Sequence, residues 1–279
     1  MLRFPFSLFL LPVFLFAVSQ VSKIDAGATI LIFFILHVLV YPASNGYNSY
    51  MDKDTSSIGA LKNPPPPSAE LFWLTVAMDT LAILLSIIIS VWFAAGVLLY
   101  ILASRAYSFR GIRLKRFPVI GYLTVMIFQG GVTFCMVYHG SSTDRTTMIP
   151  ILPAVASCLL IGGFYPLTQV YQHEADLKDG VKTISWLVGY KGTFILCAIV
   201  YSAAMSMLAL YFSRKDEMKK FFMLTTILIP VLVYFFIWAA KVWKNNSAAN
   251  FNNTMGMNVV ASICTTIAFA VLLSWRLFE

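Results

Sequence analysis

Long apolar runs separated by short polar stretches organise this chain from end to end. A bilayer core takes about 20 consecutive apolar residues per spanning helix. Candidate spans fall at 5–20, 27–44, 70–88, 89–105, 118–138, 147–168, 191–212, 219–243 and 255–276, which makes nine. The stretch 71–104 is too long for one span and divides near Ser90 on length alone. Pro118 opens its helix at the first turn, where a missing N–H costs nothing. The longest polar loops are about two dozen residues, too short for a soluble domain. The pattern predicts an all-α polytopic membrane protein, one transmembrane domain over residues 1–279.

Composition agrees. Apolar residues make up 59% of the chain and charged residues 11%, with mean hydropathy +0.79, whereas a soluble domain carries roughly a quarter charged residues. The net charge of +8 does not point to nucleic acid, because most basic residues lie between the apolar runs. There they set topology and meet lipid headgroups. Cys135, Cys158, Cys197 and Cys264 sit inside apolar segments with no CxxC pair, and read as small hydrophobes. Met1-Leu2-Arg3 before an apolar stretch also has the form of a signal peptide. Aromatic bulk, Pro5, Pro12 and a mediocre cleavage site at Ala17-Val18-Ser19 favour a membrane helix.

With the N-terminus inside, thirteen basic residues fall on inner segments and seven on outer ones, the 213–220 loop voting the other way. The excess predicts a cytoplasmic N-terminus, and hence an inner or plasma membrane protein with cytoplasmic loops at 45–69, 106–117 and 169–190.

Two of those loops are acidic. Asn48, Asp52 and Ser56 are spaced at four residues, so a helix stacks them on one face. Asp54 lies about 200° round from Asp52. Some 120 residues later, Gln172 and Asp176 are again four apart, with His173 between them, while Glu174 and Asp179 point elsewhere on an ideal helix. Magnesium prefers one or two carboxylates plus waters and substrate phosphates. Asp52 and Asp176 meet that need, with Asn48 and Gln172 as neutral oxygen donors. The plain alternative is a pair of solvated loops, polar because they leave the membrane.

Asn48-x-x-x-Asp52 followed by a Pro-rich run ending in Ser68 resembles the first motif of the UbiA superfamily of intramembrane prenyltransferases. Asp176-x-x-x-Gly180-x-Lys182-Thr183, leading to Leu187-Val188-Gly189, resembles the tail of the second motif. Tyr107-Ser108 and Arg113-Leu114-Lys115-Arg116-x-Pro118 resemble the family's basic loop after the fourth helix, and Arg3-x-Pro5 fits before the first span. Four separated patches in the family's order cover the whole chain. Two positions depart from the pattern: Ser56 stands for the second acid of the first motif, and Gln172 for the first acid of the second. Asp54 and Glu174, two residues from those positions, are the expected substitutes.

The resemblance implies a nine-helix bundle with a cavity open to the cytoplasm. Mg²⁺ on Asp52 and Asp176, with Asn48 beside them, would bind a polyprenyl diphosphate, and the prenyl group would pass to an aromatic, quinone-precursor or lipid acceptor. Arg110, Arg113, Lys115 and Arg116 are candidates for the leaving diphosphate, since Arg grips two oxygens at once; Lys53 and Lys182 are further candidates. The same cations also read as a lipid-facing anchor. A non-catalytic isoprenoid-lipid carrier on this fold is the alternative function. Outside the motifs, Asp79 inside a span needs a polar partner, Gln129-Gly130-Gly131 predicts close helix packing, and His139 reads as interfacial. Tyr41, Tyr47, Tyr50, Phe164 and Tyr165 suit an interfacial belt or a π-lined cation site.

Overall fold

The computed structural model describes residues 1–53 and 65–278. Among the described residues the chain is helical with no strands, apart from one isolated antiparallel bridge between Ile24 and Ser142. Eight helices are long and apolar enough to cross a membrane, and a shorter apolar helix precedes them. In chain order they are α1 (Phe4–Gln20), α2 (Ala26–Asp52), α3 (Ala69–Ile89), α4 (Val91–Ser108), α5 (Pro118–Ser141), α6 (Ile151–Lys178), α7 (Ile184–Arg214), α8 (Met218–Lys244) and α9 (Phe251–Leu277). The expected nine apolar elements are all present.

Local chemistry marks their ends. Ser90 breaks the long run 71–104: its backbone is extended, and its hydroxyl accepts the N–H of Phe93 at 3.0 Å, capping α4. Asp25, Thr183 and Asn250 cap α2, α7 and α9 in the same way, each relieving an otherwise unpaired first-turn N–H. Pro118 stands at the start of α5 as expected. Two helices carry internal π-helical stretches, Phe34–Val40 in α2 and Met126–Val132 in α5. Near its end α6 tightens into a 3₁₀ stretch, Tyr165–Gln172, before a last short helix His173–Lys178. Inside α7, Gly189 takes φ +73°, a conformation open to glycine, and kinks the helix.

Successive helices pack as neighbours, and α9 returns against α1 to close the bundle. Where α5 meets α6, a Cβ at Gly130 would lie 2.6 Å from the Cα of Cys158 and from the Ser157 carbonyl, so only glycine allows this approach. The packing expected at Gln129-Gly130-Gly131 is therefore real. Asp79 has its partner on the next helix: Arg105 donates from Nε at 2.9 Å and from Nη2, and its guanidinium lies 3.9 Å from the Tyr47 ring. The outer surface is apolar, with Ile30, Ile88, Val91 and Trp92 exposed, as lipid contact requires. His139 lies near the end of α5. It is buried and held by Ser90 Oγ at 2.8 Å and the Thr146 carbonyl at 2.9 Å. The four cysteines are free.

Candidate functional site

Chain direction brings the N-terminus and the 45–53, 109–117 and 173–183 segments to one end of the bundle. Arg3 donates to the Asn45 carbonyl at 3.2 Å, and Arg110 to the Met51 carbonyl at 2.7 Å. The last turn of α2 presents Asn48 and Asp52 on one face, and Lys53 in the left-handed region ends it. Asn48 Oδ1 accepts from Ser108 Oγ at 2.7 Å and from Lys115 Nζ at 3.5 Å. Asp52 is paired through one oxygen with Lys115 and through the other with Arg113 at 3.4 Å. These ties join residues more than sixty positions apart.

Arg113 is the hub. It is buried, with its backbone in the left-handed region. It pairs with Asp179 as well as Asp52 and donates to the Asp179 carbonyl at 3.0 Å. Asp179 also meets Arg110 at 3.4 Å. On an ideal helix Asp179 pointed away from the site; α6 ends at Lys178, and the turn redirects it onto the basic loop. This is the acid the sequence reading missed. The clue was there in the following Gly180, whose φ of +72° marks the turn.

Asp52, Lys115, Asn48, Gln172 and Asp176 line one chamber of about 220 Å³, whose deeper wall includes Tyr107, Tyr165, Gln169 and Asn258. Asp52, Lys115, Gln172 and Asp176 also border its wide mouth, together with Lys53, Glu174 and Asp179. At its inner end the chamber meets a second one of about 190 Å³, walled by apolar residues such as Phe9, Val13, Phe16, Ile161 and Phe269. Both chambers touch Tyr100, Gln129, Tyr165 and Asn258, so they adjoin along a shared wall. Phe164 and Tyr41 face the apolar chamber, and Tyr165 spans the junction, its hydroxyl bonded to that of Tyr107.

Several expected residues sit elsewhere. Gln172 and Asp176 do not stack on a continuous α-helix, because the 3₁₀ stretch ends at Gln172; both still reach the chamber, with Gln172 Nε2 donating to the Tyr171 hydroxyl at 3.0 Å. His173 turns away, buried against Ser185 Oγ at 2.8 Å and stacked on Tyr190. Lys182 is exposed and lies 4.9 Å from the Trp186 ring, outside the chamber lining. Arg116 is likewise exposed, 4.7 Å from the Phe117 ring. Glu174 is exposed at the mouth. Asp54 and Ser56 lie outside the described residues.

The donor set limits how a metal could be held. Among the described residues no three His, Cys, Asp or Glu side chains form a group able to hold an ion by themselves. Asp52 and Asp176, with Asn48 and Gln172, supply only oxygen donors along the same chamber. That fits a hard cation shared with phosphate oxygens, the arrangement magnesium favours, and not an all-protein cage.

The chain is thus an all-helical membrane bundle with facing acids and bases at the mouth of a chamber that adjoins an apolar one. The UbiA prenyltransferase family model matches residues 8–275, and the chain belongs to that family. It is 24% identical over 173 residues to the digeranylgeranylglyceryl phosphate synthase of Methanothrix thermoacetophila, covering 60% of this chain and 62% of that one. To the 1,4-dihydroxy-2-naphthoate octaprenyltransferase of Bacillus subtilis it is 29% identical over 174 residues, 58% of this chain and 55% of that one. The matched stretch thus spans less than two thirds of either relative. A UbiA homolog from Archaeoglobus fulgidus, solved bound to DMAPP and Mg²⁺, shares the fold with TM-score 0.71 at 17% identity, covering 98% of each chain.

Proposed function

We propose that this protein is a magnesium-dependent membrane prenyltransferase that moves a polyprenyl group from its diphosphate to an aromatic, quinone-precursor or lipid acceptor. The observation that carries the reading is the pair of adjoining chambers, one charged toward its mouth and the other apolar. Its two halves match the two halves of a prenyl diphosphate. Both curated relatives are named as transferases or synthases of isoprenoid products, which supports the same chemistry.

In this reading Asp52 and Asp176 hold the ion, and Asn48 and Gln172 add neutral oxygens. Magnesium, when bound, draws charge from the leaving diphosphate. Lys115 and Arg113 exchange their carboxylate partners for phosphate oxygens and stabilise the charge that develops there. Lys53 and Glu174 border the mouth, where Lys53 meets the incoming anion. The bond from C1 of the prenyl group to the diphosphate breaks with its electron pair on oxygen. The acceptor forms a new bond to C1 and gives up a proton to the released diphosphate or to solvent. The π faces of Tyr165, at the chamber junction, and of Tyr107 beside it favour positive charge on the allyl group. Magnesium-dependent release of diphosphate from geranyl diphosphate by the purified protein tests the proposal without knowledge of the acceptor. No release with any of a panel of phenolic, naphtholic and glyceryl lipid acceptors would overturn it.

One observation favours a non-catalytic isoprenoid carrier instead: both oxygens of Asp52 are already occupied by cations. A carrier binds prenyl diphosphate and returns it unchanged, so the same assay separates the two. The orientation belongs to the proposal as well. The excess of basic residues at the site end supports a cytoplasmic site on a protein of the inner or plasma membrane. With native thiols replaced, a cysteine at Lys178 should resist an impermeant reagent added to intact cells while one at Thr143 reacts. The reverse pattern would put the site on the outer face.

A further inference from the structure

Gln172 and Asp176 reach the charged chamber from a short element. The helix His173–Lys178 has six residues, enters from a 3₁₀ stretch and leaves into the turn at Gly180. A helix this short is marginal on its own, so its orientation depends on packing. His173, 7% exposed, lines none of the chambers and is bonded to α7 instead. Its Nε2 lies 2.8 Å from Ser185 Oγ, which lies 2.9 Å from Thr193 Oγ1, which lies 2.7 Å from the Gly189 carbonyl oxygen. Ser185 and Thr193 are fully buried. A carbonyl only accepts, so Thr193 donates to Gly189, Ser185 to Thr193, and the Nε2–H of His173 to Ser185. Every proton in this relay points the same way, and each bond polarises the next. The kink makes the relay possible. On a straight helix, residues eight apart stand about 12 Å apart along the axis, yet the hydroxyls of Ser185 and Thr193 meet across Gly189. On its face the imidazole stacks on Tyr190, with 4.6 Å between ring centroids.

We propose that His173 is a positioning residue for the metal site. It touches neither ion nor substrate. It anchors the six-residue helix to the kinked start of α7 and so fixes where Gln172 and Asp176 stand along the chamber. The inference rests on the prenyl-transfer reading, in which those two residues serve magnesium, and adds the side chains behind them. Magnesium demands near-ideal geometry from its ligands. Groups that orient metal ligands from behind typically change metal affinity by about 10–100-fold when removed.

Calorimetric titration of geranyl diphosphate into the purified protein, repeated over a range of magnesium concentrations, gives the magnesium concentration that half-saturates tight binding. The same titration in chelator gives the magnesium-free affinity. His173→Phe keeps a ring against Tyr190 and removes the N–H. It should raise the half-saturating magnesium concentration about tenfold and leave the affinity in chelator within about twofold. Ser185→Ala breaks the relay with His173 in place; it should shift the magnesium dependence the same way, and it decides the matter if His173→Phe does not fold. His173→Gln, whose amide N–H takes the place of Nε2–H, should return to within about twofold of wild type. Arg145→Ala, at the far end of the bundle, is the control for lost stability: it should lower the melting temperature without moving the magnesium dependence. An unchanged magnesium dependence in Ser185→Ala, an equal shift in Arg145→Ala, or no recovery in His173→Gln would each overturn the positioning role. Those outcomes, with a magnesium-dependent wild type, would leave the prenyl-transfer reading standing. Wild-type binding indifferent to magnesium would overturn the metal reading and the positioning role together.

Discussion

The two ends of the bundle use their charges differently. At the end opposite the site, Asp25, Arg145 and Arg276 close the bundle locally. Asp25 caps α2 by accepting from the Ala28 N–H at 2.9 Å, and Arg145 meets it at 2.8 Å. Arg145 also donates to the carbonyls of Ile89 and Ser142, and Arg276 reaches those of Val18 and Ser19 at 3.3 and 3.1 Å. Those arginines spend their donors on helix ends that need them. At the site end, Arg113 and Lys115 are committed to Asp52 and Asp179 across a cavity. Charges that hold backbone ends stabilise; charges that face each other across a cavity are exchangeable, and a charged ligand with its own cation can take either side of the pair.

The largest effect expected from this contrast is on turnover. Lys115→Gln and Asp176→Asn should each lower magnesium-dependent diphosphate release by about a hundredfold or more, with melting temperatures close to wild type. Asp54→Ala and Glu174→Ala separate two accounts of the substituted motif positions: a strong loss means that these acids share the metal, and full activity means that Asp52 and Asp176 suffice. Next in size, Arg145→Ala at the other end should cost about 2 kcal/mol of stability, read by denaturation in detergent, while leaving diphosphate release unchanged. If it abolished release instead, the division between the two ends would be wrong.

The smallest effect is one of pH. The Ala28 N–H, and then Arg145, hold the Asp25 carboxyl below its ordinary range. Its stabilising contribution is therefore fully present above the unfolded value of about 3.9 and is lost as pH falls through the lower folded value. Asp25→Asn should flatten that part of the melting-temperature profile between pH 5 and pH 2.5 and leave the profile above pH 5 parallel to wild type.

Much of this architecture was legible in the residues. Span length alone divided the run 71–104 at Ser90, and the spacing of the acids, the basic cluster and the family resemblance singled out Asp52, Lys115 and Arg113, which the fold brings together. What escaped was whatever depends on how a helix ends or which face it turns inward. Lys182 was expected near the phosphate, yet its ammonium lies 4.9 Å from the Trp186 ring. Asp179 was discounted on helical geometry that the chain abandons after Lys178. Asp79 and Arg105 are 26 residues apart on two helices, a pairing that only the turn at Ser90 creates. Asn258 gave no signal, because in a span with small polar residues scattered among apolar ones, periodicity cannot tell a cavity-facing amide from a lipid-facing one.

The central claim is that the site end holds a diphosphate through metal and cations together. Calorimetric titration of geranyl diphosphate into the purified protein, with magnesium and then with chelator, tests it most directly. Tight binding that falls by at least about tenfold on chelation, and that in Asp176→Asn no longer depends on magnesium, is the result expected from one or two carboxylates sharing an ion with phosphate. Equal affinity with and without magnesium, unchanged in Asp176→Asn, would contradict it.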